Sequence, residues 1–260
     1  MKIFKKLLDF YINSSIHVAF AVFCLLQITT ISNNLHPINC FSTTVFFGTI
    51  IGYNFLKYFD VFRKKRFDKK NYFPILILTF LALIGFSISF FSLNFDIQKY
   101  IFISGLFVLV YPFFRKYGWM KLFLVSIVVT IITVFIPYKI EDLSTINFTI
   151  NLILRFIIVI TLLIPFEILD SKTDSISMNT LPQKFGIVKA KLLGYWLLII
   201  YSMIQFYIFK MNFEIVIAIF IVLLIGVSIY FSDTKRNKFY TSFWVESIPI
   251  FWWILLLIFS

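Results

Sequence analysis

Hydrophobic residues along this chain come in long blocks separated by short polar or charged connections. The blocks run over 13–32, 41–59, 73–93, 98–114, 118–137, 145–169, 188–209, 212–231 and 241–259. A helix needs ~20 apolar residues to cross the hydrocarbon core of a bilayer. The pattern therefore predicts an all-α, polytopic membrane protein with nine transmembrane helices in a single domain, 1–260. The start, MKIFKKLLDFYINSSIHVAFAVFCLL, has a basic segment and then an apolar one, as a signal peptide does. Many further spans follow, so it reads as an uncleaved first helix. The longest polar connections, 60–72 and 170–187, leave no room for a soluble domain.

Composition agrees with the blocks. The chain is 60% hydrophobic and 14% charged, against about a quarter charged for soluble domains. Phe occurs 36 times, but Ile, Lys and Asn are abundant too, so Phe alone points to no ligand. The net charge is +12. In a soluble protein that would point to nucleic acid; here the basic residues lie between spans, where topology and anionic lipid account for them.

Their distribution predicts orientation. Twenty of the 24 basic residues precede the first span or lie between spans two and three, four and five, six and seven, and eight and nine. Only Lys99, Lys139 and Lys210 fall on the other side, and Arg155 lies within a span. The excess places the N-terminus in the cytoplasm and the C-terminus outside, in an inner, cytoplasmic-type membrane. Cys24 and Cys40 have no metal-ligand spacing and form no disulfide framework. His17 and His36 are too far apart in sequence to indicate a shared site.

Polar residues within membrane spans are costly to bury, so they are the functional candidates. Asn54, Lys57 and Asp60 end the second span at spacings of three, on one helical face. An amide, a cation and a carboxylate there could hold a diphosphate with its metal, or form a helix end with a snorkelling lysine. Tyr111, Arg115 and Lys116 close the fourth span, either as phosphate contacts or as an interfacial anchor. Asp68 and the run Arg63–Lys70 form a basic loop, read chiefly as an anchor. Arg155, near the middle of the sixth span, needs a partner; Glu246 in the ninth span, Asp60 or a ligand could supply it.

The strongest group lies in Pro165–Gly186, PFEILDSKTDSISMNTLPQKFG. Glu167, Asp170 and Asp174 are three and four apart and so share a helical face. Mutual repulsion favours a bound cation. Mg2+ is usually held by one or two carboxylates together with substrate phosphates. Thr180-Leu181-Pro182 breaks the helix, and Gly186 marks a turn before the next span.

With these residues the chain resembles the UbiA superfamily of intramembrane prenyltransferases. That family has nine transmembrane helices and two Asp-rich motifs on cytoplasmic connections, after helices two and six. Asp170 and Asp174, followed by Thr180-Leu181-Pro182 and Gly186, resemble the second motif. Tyr111 with Arg115 resembles the Y-x-x-x-K element after helix four, with Arg for Lys. In the first motif Asn54 matches, but Phe55 and Lys57 or Tyr58 stand where acidic residues are usual, leaving Asp60.

The resemblance implies a central cavity open to the cytoplasmic side. It implies transfer of a polyprenyl group from its diphosphate to an aromatic or other hydrophobic acceptor, with Mg2+ as cofactor and the bilayer as surroundings. Asp170, Asp174, Asn54 and Asp60 would be the catalytic set, and Asp170 and Asp174, joined by Glu167, the metal ligands. Lys57, Tyr111, Arg115 and Lys116 would bind the diphosphate. Two alternatives remain from the sequence: a non-catalytic relative that binds an isoprenoid lipid, in which Lys57 replaces a metal's charge, and a small transporter built around Arg155 and Glu246.

Overall fold

A computed structural model describes residues 2–36, 39–63, 69–114, 118–141, 146–172, 179–208 and 213–259. Among them every regular element is helical. In order they are α1 (Lys2–Asn13), α2 (Ile16–Ser32), α3 (Asn39–Arg63), α4 (Lys69–Phe91), α5 (Phe95–Phe114), α6 (Met120–Thr130), α7 (Ile136–Ile140), α8 (Ile146–Asp170), α9 (Leu181–Phe185), α10 (Ile187–Ile208), α11 (Phe213–Phe231) and α12 (Ile248–Phe259). A π-helical stretch, Ile131–Phe135, joins α6 to α7, and another, Tyr240–Val245, precedes α12.

Among the described residues, seven helices are long and apolar enough to cross a membrane: Tyr72–Phe91, Phe95–Phe114, Met120–Ile140, Asn147–Asp170, Ile187–Ile208, Phe213–Phe231 and Tyr240–Phe259. They coincide with the third to ninth sequence blocks. The first block is a bent pair, Phe4–Asn13 and Ile16–Ser32, kinked by 60°, which makes eight if counted as one span. The second block is α3, 25 residues long. Asn54, Lys57, Asp60 and Arg63 near its end dilute its apolar character, and it is not among the seven.

The kink has a local cause. Ser15 takes a left-handed backbone, φ 63°, which is costly for a residue with a Cβ. Its hydroxyl donates to Asn54 Oδ1 at 2.6 Å, while Asn54 Nδ2 donates to Ser14 O at 3.1 Å and to Thr79 Oγ1 at 2.8 Å. One amide thus ties the broken helix pair to α3 and α4. Close packing holds α3 against α4: a Cβ at Gly85 would lie 2.6 Å from the Phe47 ring.

Links between elements join helix ends of matching sense. Lys121 meets Glu167, Lys191 Nζ donates to Tyr230 O, and His17 meets Phe243 at one end of the bundle. At the other end His36 meets Glu141, Gln27 meets Ser42, and Tyr138 and Asn151 both donate to Asn33 Oδ1. The helices therefore run alternately up and down. The first of these ends carries most of the described Lys and Arg residues and is called the basic end below. The main core, between α2, α8, α10, α11 and α12, is filled by Ile158, Ile164, Ile168, Ile221, Ile225, Ile229 and Leu256, each at most 1% exposed.

Candidate functional site

The site is built from the last turns of α3 upward. Tyr53 and Lys57 are one helical turn apart and face the same way. Against them stands Glu246, placed by the π-helical stretch Tyr240–Val245. The extra residue per turn lets the Glu246 N–H reach Thr241 O at 3.2 Å. Phe243 O accepts from the Ser247 backbone N–H at 2.9 Å and from Ser247 Oγ at 2.6 Å. Such single-turn irregularities are frequent at functional sites.

His17 locks this turn to α2. Its Nε2 lies 3.0 Å from Phe243 O, which can only accept, so Nε2 carries the proton. Nδ1 then accepts from the Tyr11 hydroxyl at 3.0 Å. The imidazole stacks on the Phe243 ring, centroids 5.0 Å apart.

The Tyr53 phenol and the Glu246 carboxyl group face each other at close range. Tyr111, at the end of α5, and Asp170, at the end of α8, lie within electrostatic range of the same phenol. Lys57 is within range of both Glu246 and Lys238. The ends of α3, α5, α8 and the segment before α12 thus converge on one polar cluster at the basic end. Lys57 also donates to Ile12 O at 3.3 Å and Asn13 O at 3.4 Å, satisfying carbonyls at the end of α1, and stands over the Tyr58 ring at 5.7 Å.

The sequence candidates divide. Lys57, Tyr111, Asp170 and Glu246 are brought together. Asn54 is spent on Ser14, Ser15 and Thr79. Glu167 is buried in an ion pair with Lys121, Oε1 to Nζ 2.7 Å. Asp174, Arg115 and Lys116 lie outside the described residues, as does Asp68, and of Asp60 only the backbone, within α3, is described. The Thr180–Gly186 turn takes the form its residues predict. Thr180 is extended, Pro182 opens the short α9, and Gly186 has φ 86°, a conformation suited to glycine. Gln183 closes the turn, accepting from Thr180 N–H at 3.1 Å and donating to Ser171 O at 3.0 Å.

Arg155 and Glu246 are not paired. Arg155 is buried among α2, α8, α10 and α12, donates from Nη2 to Thr29 Oγ1 at 2.8 Å, and stands 5.9 Å from the Trp252 ring centroid. Its Nη1 has no hydrogen-bond partner. Tyr53, His17 and Lys238 belong to the site or its support and were absent from the sequence candidates. A signal existed for Tyr53: it precedes Lys57 by four residues, as Tyr111 precedes Arg115.

Chemically, the cluster offers phenols and an ammonium to an oxygen-rich anion and the Asp170 carboxylate to a hard cation. Among the described residues no three His, Cys, Asp or Glu side chains are grouped as a metal site. A magnesium ion completed by substrate phosphates needs no such group. Asp170 fits that donor set. Glu167 fits it poorly, because its charge is already balanced by Lys121. Comparison of the chain with family models, with curated proteins and with solved structures finds no match.

Proposed function

We propose that the chain is a UbiA-like membrane prenyltransferase whose diphosphate site lies at the basic end, among Tyr53, Lys57, Tyr111, Asp170 and Glu246. The observation that supports this reading is the convergence of the ends of α3, α5 and α8 around the Tyr53–Glu246 pair. In this reading α3 is a further span, completing nine, and the basic end faces the cytoplasm, as the charge asymmetry predicts. Asp170 and Asp174 would hold Mg2+, which would supply positive charge to the leaving diphosphate. Lys57 and the two tyrosines contact phosphate oxygens.

In the reaction, the allylic C–O bond breaks and diphosphate departs with the electron pair. The acceptor's nucleophilic atom bonds to the allylic carbon and releases its proton. The chain's contribution is electrostatic stabilisation of the leaving group and exclusion of water from the allylic cation.

The test uses detergent-purified protein, labelled geranylgeranyl diphosphate, and Mg2+ or chelator. Expected are Mg2+-dependent release of diphosphate, its loss in Asp170→Ala, and binding weakened about 10- to 100-fold in Lys57→Met, the range for a hydrogen bond to a charged group. Tight binding that survives chelation without turnover would replace the enzyme by an isoprenoid-binding protein. Absence of both binding and release would overturn the reading altogether.

A further inference from the structure

At the end opposite the basic one, a cavity of about 790 Å³ opens between α2, α11 and α12. It is independent of the proposed diphosphate site. Its size falls within the range of small-molecule pockets, roughly 300–1,000 Å³. Gln27, Thr30 and Asn34 contribute polar groups from α2 and the residues after it, while Phe213, Trp253 and Phe259 contribute aromatic rings. Phe213 and Phe259 pack with centroids 5.2 Å apart, and each remains more than half exposed at the rim.

One lining residue is charged: Glu214, in the first turn of α11. Ser32 lies beside its carboxylate. Among the described lining residues there is no Lys, Arg or His. A carboxylate beside aromatic faces is the chemistry that recognises an ammonium group, through charge and through the negative faces of the rings. The exposed Phe213, Leu257 and Phe259 continue the cavity outward as an apolar surface.

We propose that this cavity binds the headgroup of an ammonium-bearing membrane amphiphile, the ammonium against Glu214 and the aromatic rings, the chains along the rim of α11 and α12. The Gln27 and Asn34 side-chain amides offer N–H donors to the oxygens that link head to chains, whereas the Thr30 hydroxyl already donates to Leu26 O. A lipid with an anionic head and no ammonium brings like charge to Glu214 and is rejected.

Native mass spectrometry of the detergent-solubilised full chain tests this with phosphatidylethanolamine, phosphatidylcholine and phosphatidylglycerol of matched chains. The expected result is retention of one ethanolamine or choline lipid about tenfold over the glycerol lipid, the discrimination that ~1.4 kcal/mol provides. Glu214→Gln is isosteric and should abolish that preference while leaving the fold intact, as checked by its melting temperature. Free choline chloride distinguishes the sources of the ammonium. Failure to displace the lipid at millimolar concentration supports an amphiphile; ready displacement means that the free head suffices and overturns the lipid assignment. Equal retention of all three lipids, or an unchanged preference in Glu214→Gln at native melting temperature, overturns the site.

Discussion

Lys121 Nζ lies 2.7 Å from Glu167 Oε1, with both side chains less than a tenth exposed. The two come from the starts and ends of adjacent antiparallel helices, α6 and α8. Removing one partner from a buried ion pair leaves an uncompensated charge and costs about 3–5 kcal/mol, whereas replacing both by apolar residues is often neutral. Lys121→Met and Glu167→Gln should each lower the thermal midpoint in detergent markedly, and Lys121→Met/Glu167→Leu should recover most of the loss. If the ion pair is structural, the double variant also retains Mg2+-dependent diphosphate release, which Asp170→Ala does not. Loss of release in a double variant of native stability would return Glu167 to the metal site.

The reading of Glu167 shows where the sequence stops being sufficient. Its spacing from Asp170 puts the two on one side of α8, while Asp174 lies outside the described residues. Which member is already neutralised depends on Lys121, which in sequence looks like one more interfacial anchor. Asn54 repeats the lesson. Its place at the end of a span is visible, but its partners sit in the break at Ser14–Ser15, and hydropathy runs across that break without marking it. By contrast, seven of the predicted spans coincide with helices, because burial in lipid imposes a length and an apolar composition that local sequence must meet. The polar end of α3 weakens that signal just where chemistry is gathered. Glu246 was visible as an intramembrane carboxylate, but its partner could not be read. The π-helical turn before it sets its direction toward Tyr53 rather than Arg155.

Asn54 provides a second prediction. Its two amide atoms serve three partners, and one of them, Ser15, holds a left-handed backbone at the kink. Asn54→Ala should lower stability by about 1–3 kcal/mol, the cost of leaving buried polar groups unsatisfied. Protection of the Ser14–His17 amides from hydrogen exchange should fall with it. Asn54→Asp keeps the acceptor for Ser15 but sets a carboxylate oxygen against Ser14 O and Thr79 Oγ1, whose proton goes to Ile75 O, and should cost at least as much as Asn54→Ala. An Asn54→Ala variant with unchanged exchange in this segment would show that the kink is held elsewhere.

A pH-dependent contact lies at the opposite end of the bundle. The His36 backbone N–H donates to Glu141 Oε1 at 2.8 Å, and the His36 ring Nδ1 is 3.0 Å from the same oxygen. The backbone hydrogen bond is the main cause holding the Glu141 carboxyl below its ordinary value of 4.5; the ring contact adds to it. A carboxylate depressed in the folded state stabilises that state above its unfolded pKa, and the contribution is lost as pH falls through the folded one. The His36 amide should therefore keep its exchange protection above about pH 4.5 and lose it progressively below. Glu141→Gln should show weak protection throughout, with the pH dependence removed. A wild-type protection factor with the same pH dependence as that of Glu141→Gln throughout the acid range would sink the assignment.

Arg155 poses the sharpest energetic question. Its guanidinium is buried in a membrane-spanning helix, and its described contacts are the Thr29 hydroxyl at 2.8 Å and the Trp252 face. Thr29 Oγ1 itself donates to Leu25 O at 3.3 Å, so its lone pair is directed toward the arginine. One hydroxyl and one ring face offset little of the cost of burying a charge. Arg155→Met keeps the apolar stem and removes the charge, so its thermal midpoint should equal or exceed that of the native chain. Thr29→Val does the reverse: it leaves the guanidinium in place without its acceptor and should cost about 1–3 kcal/mol. The double variant separates the two effects, because Thr29→Val should cost almost nothing once residue 155 is Met. If Arg155→Met is instead as destabilising as Thr29→Val, the guanidinium contributes net stability, and the bundle is held in part by a cation at its centre. If Arg155→Met is stable but loses the proposed prenyl transfer, the charge serves that reaction at a cost to the fold.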